Sequence, residues 1–356
     1  MTQLPNPRLS RRTMLQGLLG AGALLGSGPL LAACASGSTG TSTTAANGAK
    51  LDTVVAQLGW KKLSQFGGHF AAIKMGYFTD NGIDAQFLAG GPNIDPVAVV
   101  ANKQADIGDD NGSGILLSRS KGIPVTAFAT IYQQTPNALM SLKSNPVTSL
   151  QEMVGKKVGV PNTEKVLIEA MLKKAGVDPG SVSIVPVGTD PSILTSGQVD
   201  GYIGYGTQQG VSLEQSGVPV NVVYFSELGD PDYGNAQFAL ADTIADKGDV
   251  LSRWLKADIA GWEYFVEHPE EIAQYTWDQY HKETGAAIED EKVAAQAAVP
   301  LITSGAAADH GLMWIEPAAF KSVYELYETA GKITSPVDLD AVMTQSLLQA
   351  AHGSGA

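Results

Sequence analysis

The chain has 356 residues, a formal charge of −13 and one cysteine, Cys34. A single thiol excludes an internal disulfide, and 36 acidic against 23 basic residues leave no dense basic face, so nucleic acid is excluded as a partner. About 305 residues follow the low-complexity start, enough for one or two domains with full cores.

At the start, SRRTMLQG (Ser10 to Gly17) sets Arg11 and Arg12 ahead of an uncharged apolar run from Met14 to Ala33. This is the arrangement of an export signal, and the S-R-R-x-x-L pattern points to the twin-arginine route over the general secretory one. About 20 apolar residues could also span a bilayer, but Gly17, Gly20, Gly22, Gly26 and Pro29 make this a weak span. Leu31-Ala32-Ala33-Cys34 resembles the bacterial lipobox, which implies acylation of Cys34 and cleavage before it. Acyl chains at about 0.8 kcal/mol per buried methylene would then tether the protein to a membrane. Residues 35–49 are small, polar and uncharged, the composition of a flexible linker. The expected organisation is a signal peptide over 1–33, a lipidated linker over 34–50, and a folded body beyond. Loss of 1–33 removes Arg8, Arg11 and Arg12 and no acid, moving the charge from −13 to −16 and leaving Arg119 and Arg253 as the remaining arginines.

The body contains a duplication. IDPVAVVANKQADIGDDNGSGILLSRSKGIPVTA begins at Ile94, and TDPSILTSGQVDGYIGYGTQQGVSLEQSGVPVNV begins at Thr189. Each opens on Asp-Pro, a helix start in which the carboxylate caps free N–H groups and proline takes the first helical position. Each then reaches Gln-x-Asp (Gln104 to Asp106; Gln198 to Asp200), a short apolar strand, and Gly-Ile/Val-Pro-Val. Upstream, TVVAQLGW (Thr53 to Trp60) pairs with KVGVPN (Lys157 to Asn162) as a buried strand. Strands alternating with helices predict βαβ units, so the fold class is α/β with two lobes of mostly parallel sheet. From about Lys247 to Gln349 the period is helical, with Trp254, Trp262, Phe265, Tyr275 and Trp277 expected to pack this layer on a lobe. The expected division is 51–142 plus 236–356 for lobe one and 143–235 for lobe two, with the chain leaving lobe one after Ala138 to Lys143.

The stretches QLGW, MGYFTDNGIDAQFLAGGP, KQADIG, GKKVGVPN, GVDPGSVSIVPVGTDP, SGQVDGYI and AGWEYFVEHPEEIA together resemble the solute-binding lipoproteins of ABC importers, in the branch for sulfonates, nitrate and thiamine pyrimidine precursors. The resemblance spans nearly the whole folded chain. It implies a type II periplasmic-binding-protein fold, a small ligand held between lobes, a permease with a cytosolic ATPase as partner, a monomer, no catalysis and no cofactor.

Ligands of open parallel sheets bind beyond the strand carboxyl ends. Lobe one offers Trp60, Phe66 and His69 after its first strand, then Pro92 and Asn93, then Asp109, Asp110 and Asn111, then Tyr132 and Gln133. Lobe two offers Asn162, Thr163 and Glu164, then Asp190, then Tyr205, Thr207 and Gln208, with Tyr233 and Asn235 at the return. Each has a plainer reading: Asp109 or Asp110 could cap the helix beginning at Gly112, Asp190 could be only a cap, and His69 could be a core histidine. Aromatic faces with amide and carboxylate acceptors suit a planar, hydrogen-bonding, neutral or weakly basic ring. The expected ligand is a thiamine-type aminopyrimidine, with Trp60 and Tyr205 stacking. Riboflavin is the close competitor. Sulfonate, taurine or nitrate would normally call for an arginine clamp, and no arginine lies at a predicted strand end, although backbone N–H groups could hold an anion. A pyrimidine synthase shares the resemblance, but its histidine falls at Phe66, its cysteine-rich motif is missing, and Lys61 and Lys62 read as a solvated pair. His69, His268, His281, His310 and His352 show no metal-ligand spacing, and no P-loop or G-x-S-x-G is present.

Overall fold

The computed structural model describes residues 50–353, so the expectations for the signal, Cys34 and most of the linker lie outside the described residues. In chain order the strands are β1 (Asp52–Gln57), β2 (Ile83–Leu88), β3 (Ile107–Asp110), β4 (Val125–Tyr132) and β5 (Asn137–Leu142). Then follow β6 (Lys157–Pro161), β7 (Ser183–Val187), β8 (Gly201–Tyr205), β9 (Val220–Tyr224) and β10 (Gly234–Leu240). They form two five-stranded sheets, ordered β2-β1-β3-β10-β4 and β7-β6-β8-β5-β9.

The duplication is therefore topological. β1 pairs in parallel with β2 and β3, as β6 does with β7 and β8. The two Gln-x-Asp aspartates do one job. Asp106 accepts from the Val55 N–H at 3.0 Å, and Asp200 from the Lys157 N–H at 2.9 Å, each clipping the strand that follows it to its parallel neighbour, β1 or β6. Asp95 caps the helix Pro96–Ala101 by accepting from Val97 and Ala98 N–H groups, as the Asp-Pro pattern requires.

One boundary differs from expectation. The strand expected to close lobe one, β5, pairs antiparallel with β8 and β9 and belongs to the second sheet. Its counterpart β10 pairs antiparallel with β3 and β4 in the first. Each sheet thus receives one antiparallel strand directly from a crossover. An apolar run such as ALMSLK can be buried in either sheet, so period alone does not assign it. The crossovers lie at residues 133–136 and 225–233, and they touch. A side chain on Gly234 would meet Pro136 at 2.6 Å.

The C-terminal helices pack on the first sheet. Trp254, Trp262 and Phe265 of the helix Ala241–Glu267 are fully buried, whereas Tyr275 and Trp277 of the helix Pro269–Thr284 are only half-buried at its edge. The helix Gly67–Lys74 crosses Ala241–Glu267 closely because Gly68 leaves room for the Trp262 ring and Gly261 for the Gly68 carbonyl. Gly68→Ala would drive its methyl into that ring. A loss of about 1–3 kcal/mol is expected from such overpacking, read as a lower urea midpoint at unchanged m-value.

Among the described residues no helix is long and apolar enough to cross a membrane.

Candidate functional site

The strand ends of the two sheets meet, and the lobes are shut against each other. From lobe two, the helix Lys165–Lys174 reaches over: Lys173 donates to the Ala330 carbonyl at 3.1 Å, and Glu169 pairs with Lys332 at 2.7 Å. Between the lobes, the Tyr205 hydroxyl at the end of β8 donates to Asn235 Oδ1 at 3.3 Å. Asn235, near the start of β10, takes a left-handed backbone (φ 54°) to turn its amide there. Asn137, the first residue of β5, donates from its amide to Glu164 Oε2 at 3.2 Å.

Carboxylates dominate this region. Glu164 stands just ahead of Lys165–Lys174 in lobe two; Asp109 and Asp110 end β3 in lobe one; Asp230 and Asp232 lie in the second crossover. Burial pushes Asp110 up to about 7, partly offset by the Asn111 N–H bonded to it. Burial raises Glu164 to about 7, with Asp232 and Asp110 adding to the rise and Asn137 opposing it. Asp109 is pushed well above the carboxylate range, first by burial and then by Asp110. Asp230 is raised in the same way, by burial and then by Asp232, and Asp232 is raised by burial to about 6. Burial, then Glu164 and Asp109, raise the Tyr205 hydroxyl. Among the described residues no arginine offsets these groups: Arg119 donates to the Val125 carbonyl, and Arg253 is bound by Asp52 and Asp249. Asp109 Oδ2, Thr207 Oγ1 and Asp230 Oδ2 are buried without a protein partner. Such atoms cost free energy until something bonds to them.

The fold brings together Asp109, Asp110, Asn111, Tyr132, Glu164, Tyr205 and Asn235 of the expected residues, with Trp60 half-buried in the loop after β1. It does not bring the others. His69 and Phe66 are core residues: His69 stacks on Phe66 and Phe87, and its Nδ1 lies 2.6 Å from Asp258 Oδ1. A carboxylate in the interior holds the ring there. Asn93 and Asn162 are exposed. Asp190 is an exposed cap that accepts from the Ser192 N–H and hydroxyl, which hold its carboxyl below its usual value. Gln208 is half-buried in the π-helical turn Gly206–Gly210. The Tyr233 hydroxyl is taken by the Glu316 N–H, and its ring lies edge-on to Phe320. Nor is the helix Gly112–Ser120 capped by Asp109 or Asp110; Asp232 caps it, with both carboxylate oxygens 3.1 Å from the Ser113 N–H. Asn137 and Asp232 were not legible as site residues. The only signal was DPDYG, residues 230–234, two acids flanking a proline where no basic residue stands nearby in sequence.

Two α/β lobes, linked by two crossovers and closing their strand ends on a polar cleft, define the periplasmic-binding-protein fold. Residues 64–272 match the NMT1/THI5 like family, and the chain belongs to that family. It is 26% identical over 233 residues to a formylaminopyrimidine-binding protein of Halalkalibacterium halodurans, covering 64% of this chain and 71% of that one. It is 22% identical over 290 residues to the riboflavin-binding protein RibY of Chloroflexus aurantiacus, covering 80% and 82%. A 4-amino-5-hydroxymethyl-2-methylpyrimidine phosphate synthase of Legionella pneumophila is 27% identical over 205 residues, covering 56% of this chain and 65% of that one. In structure the chain is similar to the periplasmic aliphatic sulphonate binding protein SsuA of Escherichia coli, with a TM-score of 0.63 at 12% identity over 82% of this chain and 92% of that one.

Proposed function

We propose that this chain is the solute-binding component of an ABC importer, exported and tethered through Cys34, and that it captures a planar aminopyrimidine between its lobes. The carrying observation is the set of carboxyl groups, Asp109 and Asp110 from one lobe and Glu164 from the other, gathered beside Tyr205 with no arginine among them. A carboxyl group raised to about 7 is poised between two forms and can present one acceptor oxygen and one O–H donor. That pair complements the ring nitrogen and exocyclic amine of an aminopyrimidine. Tyr205 supplies a face for stacking, and Trp60 of lobe one is the second candidate, each contributing on the order of 1 kcal/mol beyond burial. Phe66, buried in the core where the synthases are expected to carry a histidine, supports binding over catalysis.

Calorimetry with 4-amino-5-hydroxymethyl-2-methylpyrimidine, its formylamino relative, riboflavin and taurine tests this. Tight binding of either pyrimidine, with none of taurine, is expected; tight riboflavin or taurine binding without pyrimidine would overturn it. Tyr205→Ala is expected to weaken pyrimidine binding about tenfold or more, since it removes both the ring face and the hydroxyl bound to Asn235.

A further inference from the structure

We propose that Asp232 is the charge selector of the cleft: its carboxylate fills the position in which the helix Gly112–Ser120 would otherwise hold an anionic group, so that the site rejects sulfonates and phosphates. This deepens the reading of the cleft given above and rests on it for the ligand class. A nine-residue helix beginning at the end of a central strand starts with N–H groups that lack the usual intrahelical partners, the common seat of an anion. Here the seat is taken by the protein itself. Asp232, 3% exposed, accepts from the Ser113 N–H through both oxygens at 3.1 Å and from the N–H of its neighbour Tyr233 at 2.8 Å, while the Gly112 N–H donates to the Tyr233 carbonyl at 3.3 Å.

The residues around it fit that role. Any side chain on Gly112 would meet Asp232 Oδ1 at 2.5 Å, so glycine is required for the carboxylate to sit this close. Gly114, one residue after Ser113, makes the same room for the Asp110 carboxylate. Asn111 to Gly114 therefore leaves room beside its backbone for two protein acids, which occupy it. A third acid, Glu164, faces it from the other lobe and feels both. An incoming sulfonate would have to displace Asp232 from its hydrogen bonds and sit among carboxyl groups, whereas an amine finds acceptor oxygens on them.

Thermal unfolding in inorganic sulfate, against chloride at matched ionic strength, tests this on the wild type, Asp232→Ala and Asp232→Ser. The serine variant keeps a small capping oxygen in case the alanine variant does not fold. Sulfate raises the Tm of a folded protein modestly by exclusion from its surface, so the readout is the difference: the rise over chloride should be several degrees larger in the folded variant than in the wild type. Saturable sulfate binding to the wild type in calorimetry overturns the proposal even if neither variant folds, and so does a folded variant whose rise is no larger than that of the wild type. Calorimetry with the aminopyrimidine separates the two ideas: a variant that gains sulfate while the wild type ignores pyrimidine leaves charge selection standing and removes the ligand assignment.

Discussion

Asp258→Ala is expected to destabilise the protein by about 2–6 kcal/mol, since it leaves two buried polar groups without their partner at about 1–3 kcal/mol each. Asp258 is fully buried on the helix Ala241–Glu267. One oxygen lies 2.6 Å from His69 Nδ1, and the other accepts from Gln237 Nε2 at 2.6 Å. Gln237 in turn accepts from the Trp254 indole N–H at 3.3 Å. The carboxylate thus ties the first helix of lobe one, the antiparallel strand β10 and the C-terminal layer into one polar knot inside an aromatic core. Its removal leaves the imidazole and the amide of Gln237 without partners where water does not reach, and each such group costs about 1–3 kcal/mol. Asp258→Asn, which keeps the shape and one acceptor, should fall between. Urea unfolding followed by tryptophan fluorescence measures both. A loss under about 1 kcal/mol for the alanine variant would show that His69 and Gln237 find other partners and that the knot is not what holds these elements.

The second large effect is on pH. Asp110 and Glu164 are raised to about 7 and Asp232 to about 6, while Asp109 and Asp230 are raised further, all by burial in the shut cleft. An acid whose folded value lies above its unfolded one binds its proton more tightly in the folded state. Below about pH 4 both states are protonated and the shift has no effect; between about pH 4 and 7 the unfolded chain ionises first, so stability falls as pH rises; above about pH 7 the full penalty of Asp110, Glu164 and Asp232 applies. The Tm of ligand-free protein is therefore expected to fall by several degrees from about pH 5 to pH 8. Glu164→Gln should flatten that slope, because it removes one titrating group and lowers the repulsion felt by Asp110. Lys174 is the cation that acts on Asp230, and the other acids of the cleft face one another. A Tm that is flat or rises over this range would sink the claim that the acids are forced together. The same protons favour the shut arrangement over an open one, since parting the lobes hydrates these groups, and a bound amine replaces them.

Much of the architecture was legible in residues whose role is local. Asp-Pro at 95–96 reads as a capped helix start because the cap bonds only to the next turn. The two Gln-x-Asp motifs read as a repeat because the same backbone clip recurs at Asp106 and Asp200. Trp254, Trp262 and Phe265 read as core from helical spacing alone. The site was legible only in part. Asp110, Glu164 and Tyr205 follow strand carboxyl ends, a rule set by topology, and they meet. His69 obeys the same rule in sequence yet turns inward, because Asp258, 189 residues away, draws it into the core.

What the chain determines by itself is the set of local preferences: caps, turns, apolar periods, the duplication, and a charge balance with no arginine to spare for the cleft. These act over a few residues and need no partner to be read. Only the tertiary structure decided that Asn137 to Leu142 crosses to the second sheet, that Asp232 takes the helix terminus from Asp109 and Asp110, and that five carboxyl groups share one buried space. Each of those depends on which distant groups become neighbours on closing. Burial and like charge act through space, and the linear order of the chain does not carry that distance.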